Sequence, residues 1–282
     1  MMSNSRYINL GCGPVFVDSP EWANLDYSPS SPSVTRANLL APLPLKSGSV
    51  ELVYSSHFLE HIPKPDVQSF LGECHRVLQP GGVLRLVLPD LEEMARSYLD
   101  YRDSAQHERA DFLVLELIDQ CVRRTSGGEL GSCYQSLRSQ PISEVKEMTE
   151  FVRERTGEAL HVRARPSHKS GSDGAGEWSS QLPARIRNRL QLLWVRFWAY
   201  GFPAAFRAQN ISMSDVGERH HWLWDFHQLQ QALETVGFAM VERRSAGTSA
   251  IRDFPFQQLD LDTEGRPRKG AESMFVEAIK PE

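Results

Sequence analysis

The chain is poor in the features that mark export, membrane insertion or a thiolate metal centre. Only 4 of its 282 residues are cysteine, Cys12, Cys74, Cys121 and Cys133, and no two are spaced as Cys-x-x-Cys. That usage argues against a disulfide framework and fits a reducing compartment, so a cytoplasmic location is expected. No apolar run approaches the about 18 residues needed to cross a bilayer, and Met1 to Arg6 lacks the apolar region of a signal peptide. Neither export nor integral insertion is therefore expected. Positive charge is also scarce: 31 Lys and Arg stand against 36 Asp and Glu, a net charge of -5. Without a general basic surface, nucleic acid is not expected as a partner. A hydrophobic content of 40% and a charged content of 24% remain. At this length they allow one large core, or one domain with an elaborate insertion.

Against these absences stand five features in a fixed order. Tyr7-Ile-Asn-Leu-Gly-Cys-Gly-Pro14 is a short apolar strand running through Asn9 into Gly11-x-Gly13. Trp22-Ala-Asn-Leu-Asp26 is a second strand ending on a carboxylate, where a βαβ nucleotide site carries its ribose acid. Val34 to Leu40 closes a third strand with Asn38 and Leu39, an amide and an apolar wall suited to an adenine ring. Ser49-Val-Glu-Leu-Val-Tyr54 is a fourth strand that opens onto Ser55-Ser-His-Phe-Leu-Glu-His61. Glu73-Cys-His-Arg-Val-Leu-Gln-Pro-Gly-Gly82 reads as a helix ending in a Pro-Gly-Gly turn that feeds a fifth strand, Val83 to Leu88.

Alone, Gly11-x-Gly13 is equally a tight turn needing positive φ. Together the five features resemble the class I S-adenosylmethionine-dependent methyltransferases of the small-molecule type, almost continuously from Tyr7 to Leu91. The resemblance implies an α/β fold, a doubly wound Rossmann-like seven-stranded sheet with an antiparallel last strand. It also implies S-adenosyl-L-methionine as cofactor. Gly11 and Gly13, with Asn9, would lie against its methionine part, Asp26 on the ribose, and Asn38 and Leu39 at the adenine. Ser55, Ser56 and His57 would lie beside the sulfonium. A nicotinamide dinucleotide fold is the rival reading. It needs a third glycine, where Val15 and Phe16 stand here, and its acid falls about 20 residues on, later than Asp26.

One departure from the family pattern concerns the first helix. Only Pro14 to Glu21 separate Gly13 from Trp22, and Pro20 would interrupt a helix there. A stub or loop is expected, with less of a helix N-terminus to meet the cofactor carboxylate.

Beyond the fifth strand, Asp90 and Glu93 have the spacing of a capping box. Apolar periodicity then predicts a helix from Leu91, a second over about Ser104 to Arg124, and a short one over Ser143 to Arg155. Ser126 to Ser132 reads as a loop, and the polar, glycine-rich Ser167 to Gly176 as a flexible one. Core segments 1–99 and 219–282 thus flank a helical insertion, 100–218. Its place at the carboxyl end of a strand marks it as an acceptor-binding cap. Between Val152 and Arg207 ten Lys or Arg face four Asp or Glu, a local +6, which suggests an anionic acceptor. Over 183–206 arginines and aromatics form an amphipathic helix, read as packed on the domain, with peripheral membrane contact as the alternative.

The final helix follows Asp225 and stops at Gly237. The last strands, Phe238 to Ser245 and Met274 to Ile279, are expected to be joined by a polar turn. Methyl transfer needs alignment and exclusion of water, and a base only where the acceptor loses a proton. His57 and His221 are the catalytic candidates, with His220 beside the latter. No metal site is expected: His57-x-x-x-His61 has Phe58 where a zincin carries glutamate, and Asp260 to Gly265 is only the start of a calcium loop. The expected activity is methyl transfer to an oxygen or nitrogen of a small-molecule or glycan-like acceptor. A cofactor-binding docking protein without catalysis is the rival.

Overall fold

Short apolar segments build the parallel half of the sheet. The computed structural model describes residues 5–160, 194, 198, 200–212 and 217–282. Strands β1 (Tyr7–Leu10), β2 (Trp22–Asp26), β3 (Val34–Arg36) and β4 (Val50–Ser56) run parallel, with Ile8, Leu10, Leu25 and Val53 fully buried. Near-continuous burial along β2 and β4 is the mark of strands covered on both faces. They join β5 (Leu78–Pro89), β6 (Ala239–Arg244) and β7 (Ser273–Ile279) in the order β3-β2-β1-β4-β5-β7-β6. β7 lies antiparallel between β5 and β6, so the doubly wound sheet with an antiparallel last strand is the fold observed.

No helix forms between Gly13 and Trp22. Two buried amides take over part of the work a helix would do for its own backbone. Asn9 Nδ2 donates to Val15 O at 3.1 Å, and Asn24 Nδ2 donates to Val17 O at 2.9 Å. The loop is thereby anchored to β1 and β2 rather than to itself. The Pro-Gly-Gly segment is not a turn before the fifth strand: it is a bulge within β5, whose register against β4 shifts between Val50 and Leu52. Gly81 takes φ +73° there, a conformation glycine adopts at little cost.

Helix α1 (Val67–Val77) packs Phe70, Leu71, Cys74 and Val77 on the sheet. Helix α2 (Leu91–Asp103) begins at Asp90, whose Oδ1 accepts from Glu92 N at 3.1 Å. The capping box stays open, because Glu93 Oε1 is taken by Ser97 Oγ and by Arg155 Nη1 at 2.7 and 2.6 Å. Helix α3 (His107–Val114) continues through a π turn, Leu115–Asp119, and a last turn, Gln120–Val122. Where a loop is expected over Ser126 to Ser132, the chain forms α4 (Gly128–Ser139). Its cap is tertiary: Asp119 Oδ1 accepts from Glu129 N at 2.7 Å. Helix α5 (Ile142–Thr156) follows, and Phe112, Leu130, Leu137, Val145, Phe151 and Val152 form a cluster of their own.

Within 183–206 only 194, 198 and 200–206 are described, so that amphipathic helix as a whole lies outside the described residues, as does Ser167 to Gly176. Helix α6 (Ala204–Asn210) closes this region, and among the described residues no helix is long and apolar enough to cross a membrane. Helix α7 (Phe226–Thr235) is capped by Asp225, whose Oδ1 accepts from Gln228 N at 2.7 Å. The link from β6 to β7 is no simple turn. It contains α8 (Phe256–Leu259) and carries Asp260 inward, where Oδ1 accepts from Tyr54 Oη at 2.6 Å and Oδ2 from Arg85 Nε at 2.8 Å.

Candidate active site

The glycine loop sits at the carboxyl ends of β1 and β4. Gly11 and Gly13 take φ +67° and +53°, and a Cβ on Gly11 would lie 2.6 to 2.7 Å from the Phe58 ring. Only glycine therefore fits at Gly11. Asp26, at the end of β2, fixes the loop from the other side. Its Oδ2 accepts from Gly13 N at 2.9 Å and its Oδ1 from Ser28 N at 2.7 Å.

Two cavities open here. The first, about 220 Å³, is lined by Asn9, Gly11, Gly13, Tyr54, Ser56 and His57 from the sheet, and by Arg268 and Lys269 from the β6–β7 link. The second, about 270 Å³, lies against the insertion and is lined by Gln120, Arg123, Leu130, Tyr134 and Glu272. His57 and Lys269 line both. The first cavity also holds two orphaned buried atoms, the acceptor Asn9 Oδ1 and the donor Arg268 Nε.

Lys269 is placed by the end of α5. Ala271 N donates to Glu154 O at 2.8 Å and Glu272 N to Arg155 O at 3.0 Å. Gly157 (φ +77°) and Gly270 (φ +67°) let the two backbones touch, since a Cβ on either would run into Arg268 O or Arg155 O. Among the described residues no carboxylate stands within ion-pair distance of Lys269.

The family profile described as a methyltransferase domain matches residues 19–86, from the approach to β2 into β5. Residues 19–86 thus carry a methyltransferase domain. With the strand order above, the match supports a class I S-adenosylmethionine-dependent methyltransferase. Among solved structures it is similar to an S-adenosylmethionine-dependent methyltransferase of Archaeoglobus fulgidus, at 10% identity over 99% of this chain and 88% of that one, TM-score 0.39. One from Mesorhizobium loti gives 15% identity, 99% and 92% coverage, and TM-score 0.35. Phosphoethanolamine N-methyltransferase 2 of Haemonchus contortus, solved with phosphomonomethylethanolamine and S-adenosylhomocysteine, gives 9% identity and TM-score 0.36, with 100% of this chain covering 50% of that one. No curated protein matches the sequence.

S-adenosylmethionine is the cofactor of this methyltransferase, and the first cavity fits its amino-acid end. An orphaned acceptor at Asn9 and an orphaned donor at Arg268 suit a ligand carrying an ammonium and a carboxylate. Asp26 would take the ribose hydroxyls with the lone pairs its two backbone donors leave free.

The other residues named from the sequence fall differently. Ser56 lines the cavity, but Ser55 is 2% exposed and donates its hydroxyl to Leu10 O at 2.9 Å, so it ties β4 to β1 instead. Asn38 is exposed on the rim and its Oδ1 accepts from Leu40 N at 3.1 Å, while Leu39 is buried in the core. Neither lines the cavity. The exposed apolar residues at this edge are Tyr27 and Leu40.

His57 stands at the junction of the cavities with both nitrogens facing protein. Nε2 lies 2.9 Å from Ser273 Oγ and Nδ1 3.4 Å from Glu60 Oε1. Ser273 Oγ itself donates to Lys269 O, so His57 Nε2 is the donor in that pair. Burial, then Lys269, pushes the His57 imidazole well below its ordinary value, and burial pushes the Glu60 carboxyl up to about 8. Both groups are therefore neutral near pH 7, and their contact is not an ion pair. This is the setting of a cavity wall rather than of a free base. His221, the other catalytic candidate, is exposed and lines neither cavity, and its backbone N donates to Glu60 O at 2.7 Å. Its neighbour His220 is the one turned inward, at 5% exposure.

Sequence reasoning missed Arg268, Lys269, Tyr134 and Glu272. The only signal in the chain was the polarity of the β6–β7 link, since nothing local ties those residues to a glycine loop far upstream.

Proposed function

We propose that this methyltransferase acts on an oxygen or nitrogen of a small, anionic acceptor held in the second cavity, with the insertion, 100–218, as its cap. The observation that carries this reading is the pair of adjoining cavities sharing His57 and Lys269. A cofactor in one and an acceptor in the other would meet at those two residues. S-adenosylmethionine supplies an electrophilic methyl group when bound. The chain's own residues then have to orient and shield. Arg268 and Asn9 would hold the amino-acid end, Asp26 the ribose, and the glycine loop would let the backbone approach closely.

Lys269 is the anion-binding residue of the acceptor side. Arg123 is less available because its guanidinium is paired with Asp119 at 2.9 Å. Glu272 and Glu116 hydrogen-bond one another, and burial raises both, Glu272 well above the ordinary range. A shared proton accounts for their otherwise orphaned oxygens, Glu116 Oε1 and Glu272 Oε2. Glu272 then presents a neutral face that does not repel an anion. His57 is not a free base, and the remaining carboxylate of the second cavity, Glu158, is exposed at its edge, so an acceptor that is already nucleophilic, or that loses its proton to water, suits the site.

Transfer of labelled methyl from S-adenosylmethionine to a panel of small carboxylates, phosphates and sugars tests the reading. Turnover of an anionic acceptor with a KM raised at least tenfold in Lys269→Met and a nearly unchanged S-adenosylhomocysteine affinity supports it. Cofactor binding without labelled product across the panel would favour the docking protein instead.

A further inference from the structure

We propose that Glu60, His61 and His220 form a binding site for one divalent transition-metal ion of the zinc class. One ligand atom from each lies within 4.8 Å of the other two. Zinc holds imidazole nitrogens and carboxylate oxygens at about 2.0–2.2 Å, which sets its ligand atoms roughly 3–4 Å apart. Small side-chain rotations would close these three groups onto an ion. Two imidazoles and one carboxylate suit zinc far better than calcium or magnesium, which call for oxygen ligands in larger number.

Two unpartnered buried groups point to a missing partner at this place, and a third contact orients the remaining ligand. Glu60 is 0% exposed, and neither of its carboxylate oxygens has a hydrogen bond. The 3.4 Å approach of His57 Nδ1 to Oε1 is too long to supply a good one. A buried carboxyl left without partners is a costly arrangement unless a cation or donor completes it. His220, at 5% exposure, has a buried Nδ1 with no partner either. His61 Nδ1 lies 2.9 Å from Arg219 O. A carbonyl only accepts, so Nδ1 carries the proton and Nε2 keeps its lone pair. Metal-bound imidazoles are commonly held in this way, with the other ring N–H donated to a carbonyl or carboxylate.

The backbone fixes the three groups together. His220 N donates to Gln120 O at 2.9 Å and His221 N to Glu60 O at 2.7 Å, so the segment returning from the insertion is pinned to the turn that carries Glu60. Of the nearby cations, Arg123 is paired with Asp119; the opposing charges are Lys269 and Arg219, whose Nε donates to Cys121 O at 3.0 Å. An ion here would fasten the segment that returns from the insertion to the core turn carrying Glu60 and His61, beside His57. The histidine spacing within 57–61 is not the pair that counts. The second imidazole comes from the far end of the insertion.

The test uses the full chain, freed of metal with a chelator and titrated with Co²⁺ and then Zn²⁺. The expected result is uptake of one Co²⁺ per chain with the visible absorption of a four- or five-coordinate site, displaced by one Zn²⁺, and a higher Tm with Zn²⁺ bound. In competition with a chromophoric chelator, His61→Ala and His220→Ala each lower Zn²⁺ affinity at least tenfold, and His221→Ala leaves it unchanged. Failure of the folded wild-type chain to take up one Co²⁺ overturns the proposal. So does uptake that His61→Ala and His220→Ala leave unaltered, which would locate the metal on cysteines or surface histidines. The wild-type spectrum decides the matter even where a variant does not fold.

Discussion

At the scale of single residues, Asp26 orders the glycine loop through Gly13 N, and in the function proposed it would also take the cofactor's ribose. Asp26→Ala removes both, and the loss of charged hydrogen bonds of this kind is worth about 1.5–3 kcal/mol. Calorimetry with S-adenosylhomocysteine should show an affinity at least tenfold weaker, and an unchanged affinity would remove Asp26 from the site. Cys12, between the two glycines, tests the burial of the loop itself. Burial, then the nearby Asp26, pushes its thiol up to about 12. At neutral pH the thiolate fraction is then on the order of 1 in 10⁴ or less, and only the thiolate reacts. Mass spectrometry after iodoacetamide treatment should find Cys12 unmodified in the folded chain and modified after denaturation.

At the scale of elements, the contact that matters is the end of α5 against the loop 267–272. Gly157→Ala and Gly270→Ala each set a Cβ against backbone carbonyl oxygen and force a side chain into positive φ. Strain of this kind costs about 1–3 kcal/mol, and Tm falls by roughly 2–4 °C for each kcal/mol in a chain of this size class. Limited trypsin digestion should then cut after Arg268 or Lys269 in the variants earlier than in the wild type. Equal cutting would mean the loop is held by something other than this close approach. The elements also show why some of the fold is legible in the sequence. Strands β1 to β5 and α7 carry their signals locally: apolar runs, glycines at turns, and Asp90 and Asp225 as caps. Helix α4 is not legible, because its cap, Asp119, belongs to the preceding helical stretch and reaches Glu129 N only after the chain has folded back.

At the scale of the whole molecule, the sheet is tied together by a buried charge network. Arg85, fully buried, pairs with Asp260 at 2.8 Å and Glu277 at 2.9 Å, and also donates to Thr248 O. Arg85→Met leaves buried Asp260 without its cation and Glu277 with Arg244 alone, and breaking a buried pair typically costs about 3–5 kcal/mol. Urea unfolding should show a loss of that order, and a loss below about 1 kcal/mol would mean the network contributes little.

The Glu116–Glu272 pair gives a pH signature. Glu272 is raised well above its ordinary 4.5 by burial and by Glu116, so the folded chain keeps a proton that the unfolded chain releases. Its contribution to stability is full below the unfolded value and is lost as pH rises toward the folded one. Glu272→Gln keeps the neutral form at every pH. Its stability relative to wild type should therefore grow as pH rises above the unfolded carboxyl value, and a difference independent of pH would contradict the shared proton.

The sequence by itself determined the strands, the glycine turn that demands positive φ, Asp90 and Asp225 as the caps of α2 and α7 and the absence of a first helix, because each depends on residues a few positions apart. The tertiary structure decided which residues share a cavity. Lys269 meets the glycine loop only because β7 inserts between β5 and β6 and carries its preceding loop back across the carboxyl ends of the strands. His220, rather than His221, meets Glu60 because the returning backbone is pinned to Glu60 O. Ser55 turns away from the cavity because neighbouring positions of a covered strand face opposite ways, and Leu39, in the turn after β3, is drawn into the core instead.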